Sequence, residues 1–64
     1  MRWFERTRME WLMNRKKPLN RQDLAARFDI SILQASKDIN KFIRLYPNVW
    51  KYNLNKKRYE RIEQ

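Results

Sequence analysis

Apolar positions along the chain follow a helical period over the first three quarters and an alternating one near the end. Ile32, Ala35, Ile39, Phe42, Ile43 and Tyr46 recur about every 3.6 residues and share one face, the pattern of an amphipathic helix packed on a core. Leu33, Lys37, Asn40, Lys41 and Arg44 fall on the opposite face, with Gln34 and Ser36 at its edges. Just upstream, Leu24, Ala25 and Phe28 predict a shorter helix over residues 21–28. Asn20 is its N-cap, Asp23 faces the positive end of its dipole, and Leu19 is placed to staple onto Leu24. Ala25 is small where the two helices must cross closely. Asp29 and Ile30 form the turn between them, and Ser31 with Gln34 makes an S-x-x-Q capping box that fixes where the longer helix, about 32–45, begins.

An earlier helix is predicted over about 2–15, a stretch without Pro or Gly and rich in Arg, Glu, Met and Leu. Phe4, Trp11 and Leu12, with the stem of Arg8, form its inward stripe. Trp3, Met9 and Met13 lie off that stripe, which predicts a second covered surface, either a partner subunit or the flank of the later strands. Residues 14–19 read as a basic connection. Pro47 ends the third helix; then Val49, Trp50 and Tyr52 favour a strand, residues 53–57 a polar turn, and Arg58, Tyr59 and Ile62 a returning strand. Trp50, Tyr52 and Tyr59 are expected to cover the core. The fold class is therefore mainly α with a small β-hairpin, a winged helix-turn-helix of three helices plus a two-stranded wing at about 49–62, in one domain over 1–64.

Size and composition narrow the chemistry. A chain of 64 residues hides only about 60% of its unfolded surface, which leaves little room for an enzyme pocket. Neither His nor Cys occurs, removing the usual zinc, iron-sulfur and haem ligands, disulfides and Cys- or His-based catalysis, so no catalytic residue, metal or cofactor is expected. No apolar run approaches the roughly 20 residues of a membrane span, and the expected location is cytoplasmic, on the nucleoid. The net charge is +9, and its placement says more than its size. Residues 15–58 hold twelve cations against Asp23, Asp29 and Asp38, while Arg and Glu cancel at the two ends. Charge can serve solubility alone, but an excess confined to the helix pair and hairpin is the footprint of a nucleic-acid surface.

The front half of a recognition helix enters the major groove, so Leu33, Gln34, Ser36, Lys37 and Asn40 are the candidate base readers. Gln suits adenine, Lys suits guanine, and Leu33 can touch a thymine methyl, meet a partner, or stand as an ordinary exposed leucine. Arg15, Lys16, Lys17, Arg21, Ser31, Lys41, Lys56, Lys57 and Arg58 are the candidate backbone contacts, the last three being cations at the wing tip.

The run Leu24-Ala25 with Phe28, then Ile30-Ser31, Gln34-Ala35-Ser36 and Asp38-Ile39, followed by Tyr46-Pro47-Asn48, Tyr52, Lys57 and Tyr59, resembles the amino-terminal winged helix of WYL-domain transcriptional regulators, particularly the BrxR and CapW types of phage-defence loci. A looser similarity extends to the DeoR family. The resemblance implies that Ser31, Gln34, Ser36 and Lys37 face a DNA groove, that Arg21 touches backbone, and that the wing approaches the duplex. It also implies a homodimer on an inverted repeat, acting as a repressor. Two features depart from it. No WYL effector domain or dimerising region follows within these 64 residues, so ligand sensing is not expected and pairing falls to helix one, the wing or the carboxyl end. Asp29 stands where many such turns have Gly, and Asp tolerates a left-handed backbone better than most residues. A stand-alone regulator and a domain of a longer protein both fit. Two other classes remain: an excisionase-like architectural DNA-binding accessory, and a protein-interaction inhibitor on the same scaffold.

Overall fold

The computed structural model describes residues 4–62, which fold into three helices followed by a two-stranded antiparallel hairpin. Helix α1 spans Glu5–Asn14, α2 Arg21–Phe28 and α3 Ile32–Leu45; strands β1 and β2 span Trp50–Asn53 and Arg58–Arg61. Arg2 and Trp3, with which the first helix was expected to begin, lie outside the described residues.

Each helix is delimited by local chemistry. Phe4 precedes α1 without a side-chain cap, and Glu5 in the first turn answers the helix dipole. At the other end Arg61, reaching over from β2, donates Nη1 to the carbonyls of Met13 and Arg15 at 2.7 Å each, occupying acceptors the helix end leaves open. Helix α2 opens with a full capping box: Asn20 Oδ1 accepts the Asp23 amide at 3.0 Å, and Asp23 Oδ2 accepts the Asn20 amide at 2.9 Å. It closes on Asp29 in the left-handed region, φ 52°, ψ 49°, so Asp does occupy the conformation in which Gly is usual. Helix α3 starts at Ser31, whose Oγ accepts the Gln34 amide at 3.0 Å. Here the predicted reciprocal box is only half made. The Gln34 side chain turns down the helix to donate Nε2 to Asp38, a charge-assisted hydrogen bond, which carries its Oε1 away from the Ser31 amide.

In the wing Tyr52 pairs with Tyr59 and Trp50 with Arg61. Asn53 Oδ1 accepts the amides of Asn55 and Lys56, forming the turn, and Lys57 takes positive φ at 55° to re-enter β2. An element absent from the expected pattern joins this sheet. Leu19, in the basic connection, exchanges both backbone hydrogen bonds with Tyr59 at 3.0 and 2.7 Å, a one-residue third strand tying the wing to the entrance of α2.

The core comprises Leu12, Leu19, Leu24, Ala25, Phe28, Ala35, Ile39, Phe42 and Trp50, with Met9, Trp11, Met13, Ile30, Ile43, Val49 and Tyr59 packed around it. Trp50 satisfies its indole by donating Nε1 to the Leu12 carbonyl at 3.1 Å. Four expected core residues lie outside. Phe4 is 75% exposed because α1 starts only after it, beyond the overlap with α3. Ile32 opens α3 and Tyr46 lies just past its end, packed on Phe42 and edging a groove with Arg6, Met9, Glu10 and Met13 of α1, and Tyr52 packs against Tyr59 with ring centres 4.9 Å apart.

The inward stripe of α3 also holds a charge. Asp38, 2% exposed, accepts from Arg8 of α1: Nε to Oδ2 at 2.5 Å and Nη2 to Oδ1 at 3.3 Å. A pair removed from water to this degree must satisfy its lone pairs internally. Gln34 supplies a further donor to Oδ1 at 3.0 Å, and no buried side-chain polar atom among the described residues lacks a partner.

Candidate nucleic-acid interface

Three pieces of chain converge on one side of the molecule. The first turn of α2 brings Asn20, Arg21 and Gln22, the middle of α3 brings Ser36 and Ile39, and the wing brings Tyr52, Lys57 and Tyr59; together they line a cleft of ≈370 Å³. The positive end of the α2 dipole opens there beside Arg21 and Lys57. Burial holds the Tyr59 phenol above its ordinary value of 10.0, helped by the neighbouring Tyr52 and opposed by Arg21, so it stays a neutral donor. The arrangement suits an anion that accepts hydrogen bonds, as a backbone phosphate does.

From that cleft the outer face of α3 continues through exposed Lys37, Asn40, Lys41 and Arg44, which line a shallower groove with Leu45. Leu33 stands 67% exposed near the start of the helix. Gln34 and Ser36 are half-buried at the edges of this face. Lys37 and Arg44 form no ion pair with any described residue, whereas Lys41 is held by Glu5 of α1. The Lys41 ammonium and an adjacent Arg8 keep the Glu5 carboxyl below the ordinary 4.5, the hydrogen bond from Lys41 being the main cause.

The candidate backbone contacts divide into two groups. Arg21, Lys56 and Lys57 are exposed at the α2 start and the wing turn, and Ser31 is exposed but already engaged as a cap. Arg15 is committed elsewhere: it donates to the carbonyls of Lys17 and Pro18 at 3.2 and 3.1 Å and lies over the Trp11 ring, bracing the connection. Arg58 is not at the wing tip. It opens β2 and pairs with Glu60 at 3.1 Å, because side chains two apart on a strand share a face. Lys16 lines a different cleft with Pro18, Lys51, Glu60, Arg61 and Ile62, and Lys17 is exposed on the same connection.

Sequence reasoning missed Tyr52, Tyr59 and Gln22 as parts of this face. The two tyrosines were legible from the hairpin register, which sets them directly opposite each other. It also missed Leu54, which stands 79% exposed in the turn ahead of Lys56 and Lys57. No helix among the described residues is long and apolar enough to cross a membrane, and none of their acidic side chains cluster as a metal site would require.

Three helices with a short antiparallel wing, and a cationic face built from α2, α3 and the hairpin, define a winged helix-turn-helix DNA-binding domain. The chain belongs to the BrxR transcriptional regulator winged helix-turn-helix domain family, whose sequence model matches residues 10–64. A comparison with curated proteins found no match.

Proposed function

We propose that the chain reads a specific operator in double-stranded DNA as a homodimer on an inverted repeat and represses transcription there, without catalysis or cofactor, in the cytoplasm on the nucleoid. One observation carries the reading: the outer face of α3 is polar and cationic, and a cationic helix start and a cationic hairpin turn flank it. In this arrangement Leu33, Gln34, Ser36, Lys37 and Asn40 meet base edges. Arg21, Ser31, Lys56 and Lys57 hold phosphates, with Lys16, Lys17 and Lys41 further out, while Arg15 and Arg58 act mainly by shaping the connection and the wing. The dimer forms through α1, where Met9 and Met13 line a groove with Arg6, Glu10, Phe42 and Tyr46. Trp3, an expected third member of that contact, lies outside the described residues.

The test is selection of bound fragments from random duplexes, followed by footprinting. A two-fold symmetric motif with half-sites one helical turn or a multiple apart supports the dimeric reader. Absence of any enriched sequence refutes specific recognition.

One observation favours a second reading, an architectural protein that bends its site. Leu54 is a large apolar side chain presented on a cationic turn, the composition of a wedge inserted between base steps. Ring-closure measurements on short duplexes separate the readings, since only a bending protein accelerates closure and only its Leu54→Ala variant loses that effect.

A further inference from the structure

Among the described residues, Gln34 is the one candidate base reader whose polar head is held by the protein itself. Its Nε2 donates to Asp38 Oδ1 at 3.0 Å, and that carboxylate is in turn held by Arg8 at 2.5 and 3.3 Å. A carboxylate beside a guanidinium is an acceptor only, so the amide group facing it must be the NH₂. Turning the amide over would place Oε1 against a carboxylate oxygen, losing a charge-assisted hydrogen bond and replacing it with repulsion. A free glutamine carries no such constraint and can present either end to a base. Asp38 cannot swing away to relax it, being 2% exposed and fixed from a second helix.

We propose that Asp38, anchored by Arg8, locks the Gln34 amide with Oε1 leading outward, so that Gln34 selects bases bearing an exocyclic amino group. In the major groove that group is the N6 amine of adenine or the N4 amine of cytosine; guanine and thymine show only acceptors at the corresponding edges. The inference rests on the reading of α3 as the groove helix. It assigns Asp38 as a positioning residue, acting on specificity from inside the core.

The experiment is random-duplex selection with the wild type, Gln34→Ala, Gln34→Glu and the double variant Arg8→Met/Asp38→Leu. Titrations of the selected site follow, with the amino group replaced by hydrogen at the Gln34-dependent position. Because every Watson–Crick pair carries one such amine, the wild type is expected to select one pair in one orientation there, with its amino-bearing base within reach of Gln34, and deleting that amino group to weaken binding by about three- to tenfold. Gln34→Ala loses both the preference and the sensitivity. The double variant keeps the rest of the motif but becomes indifferent at this position, because the amide is free to turn. Gln34→Glu loses the hydrogen bond to Asp38 and is repelled by it, but presents acceptors only and so keeps the amino preference. Undiminished binding when the amino group of the Gln34-dependent pair is replaced by hydrogen, an unaltered motif in Gln34→Ala, or an undiminished preference in the double variant overturns the proposal. A wild type that enriches no sequence defeats the DNA-reading function itself, a distinguishable failure.

Discussion

Removing one partner of the Arg8–Asp38 pair should cost far more than removing both. The side chains are 10% and 3% exposed, so neither charge can recover its hydration if the other is lost. Truncating one partner of such a pair typically costs about 3–5 kcal/mol, while replacing both by apolar groups of similar volume is often neutral. A domain of this size is stable by roughly 3–10 kcal/mol in total. Asp38→Leu alone, which leaves the Arg8 guanidinium facing Leu, is therefore expected to lower the melting temperature by more than about 12 °C, at about 4–8 °C per kcal/mol. Arg8→Met alone should act similarly, whereas Arg8→Met/Asp38→Leu should melt within about 5 °C of the wild type. Leu also exceeds Asp in helix propensity by about half a kcal/mol, which favours the double variant slightly. Circular dichroism melts and urea titrations of all four proteins close the cycle, with unchanged m-values showing that stability alone has moved. Single variants that melt near the wild type, or a double variant as unstable as the singles combined, would refute the reasoning that desolvation governs this contact.

Three further outcomes are expected. Lys37→Ala should weaken operator binding by about 1–3 kcal/mol if it reads a base, while Lys56→Ala should weaken all duplexes alike and flatten the salt slope by about one unit; equal effects of both on operator and random DNA would remove Lys37 from the groove. Glu5→Gln should release Lys41 and strengthen binding to every duplex, with a steeper salt dependence, which fluorescence anisotropy across a salt series measures. Tyr59 titrates above 10.0 in the folded chain, so its contribution to stability is complete below pH 10.0 and is lost as pH rises through the folded-state value, the unfolded phenol ionising first. Alkaline denaturation followed at the phenolate absorption should therefore be shallower in Tyr59→Phe than in the wild type.

The helices were legible because each carries a local signal: the apolar period of α3, the Asn20 and Ser31 caps, and the Leu24-Ala25 and Phe28 stripe. The wing was legible from Trp50, Tyr52 and Tyr59 separated by a polar turn. What escaped depends on contacts between distant positions. Asp38 sits on the inward stripe as Ala35 and Ile39 do, but a wheel records only that a charge falls there, not that Arg8, thirty residues away, neutralises it. Gln34 follows from it: its S-x-x-Q spacing promised a capping box, but once Arg8 fixes Asp38 one turn later, the Gln34 Nε2 donates there and the side chain leaves the Ser31 amide. Leu19 pairing with Tyr59 and Arg61 capping α1 follow from the wing folding back, which no local window contains.

Contacts of this kind, local as well as long-range, alter what the net charge means. Arg6, Arg8 and Lys41 are paired with carboxylates, Arg58 with Glu60, and Arg15 and Arg61 are spent on backbone carbonyls. The cations of the proposed DNA face that carry no ion pair among the described residues are then Lys16, Lys17, Arg21, Lys37, Arg44, Lys56 and Lys57. If each releases one counterion, the slope of log K against log salt reaches about −6 per protomer, and about −12 for a dimer with both halves engaged. Had every cation on the chain been available, the limit would be more than twice as steep. A measured slope above that limit in magnitude would mean that the internal pairs open on DNA, and Lys41, half-exposed on the outer face of α3, would be the first on that face to change partners.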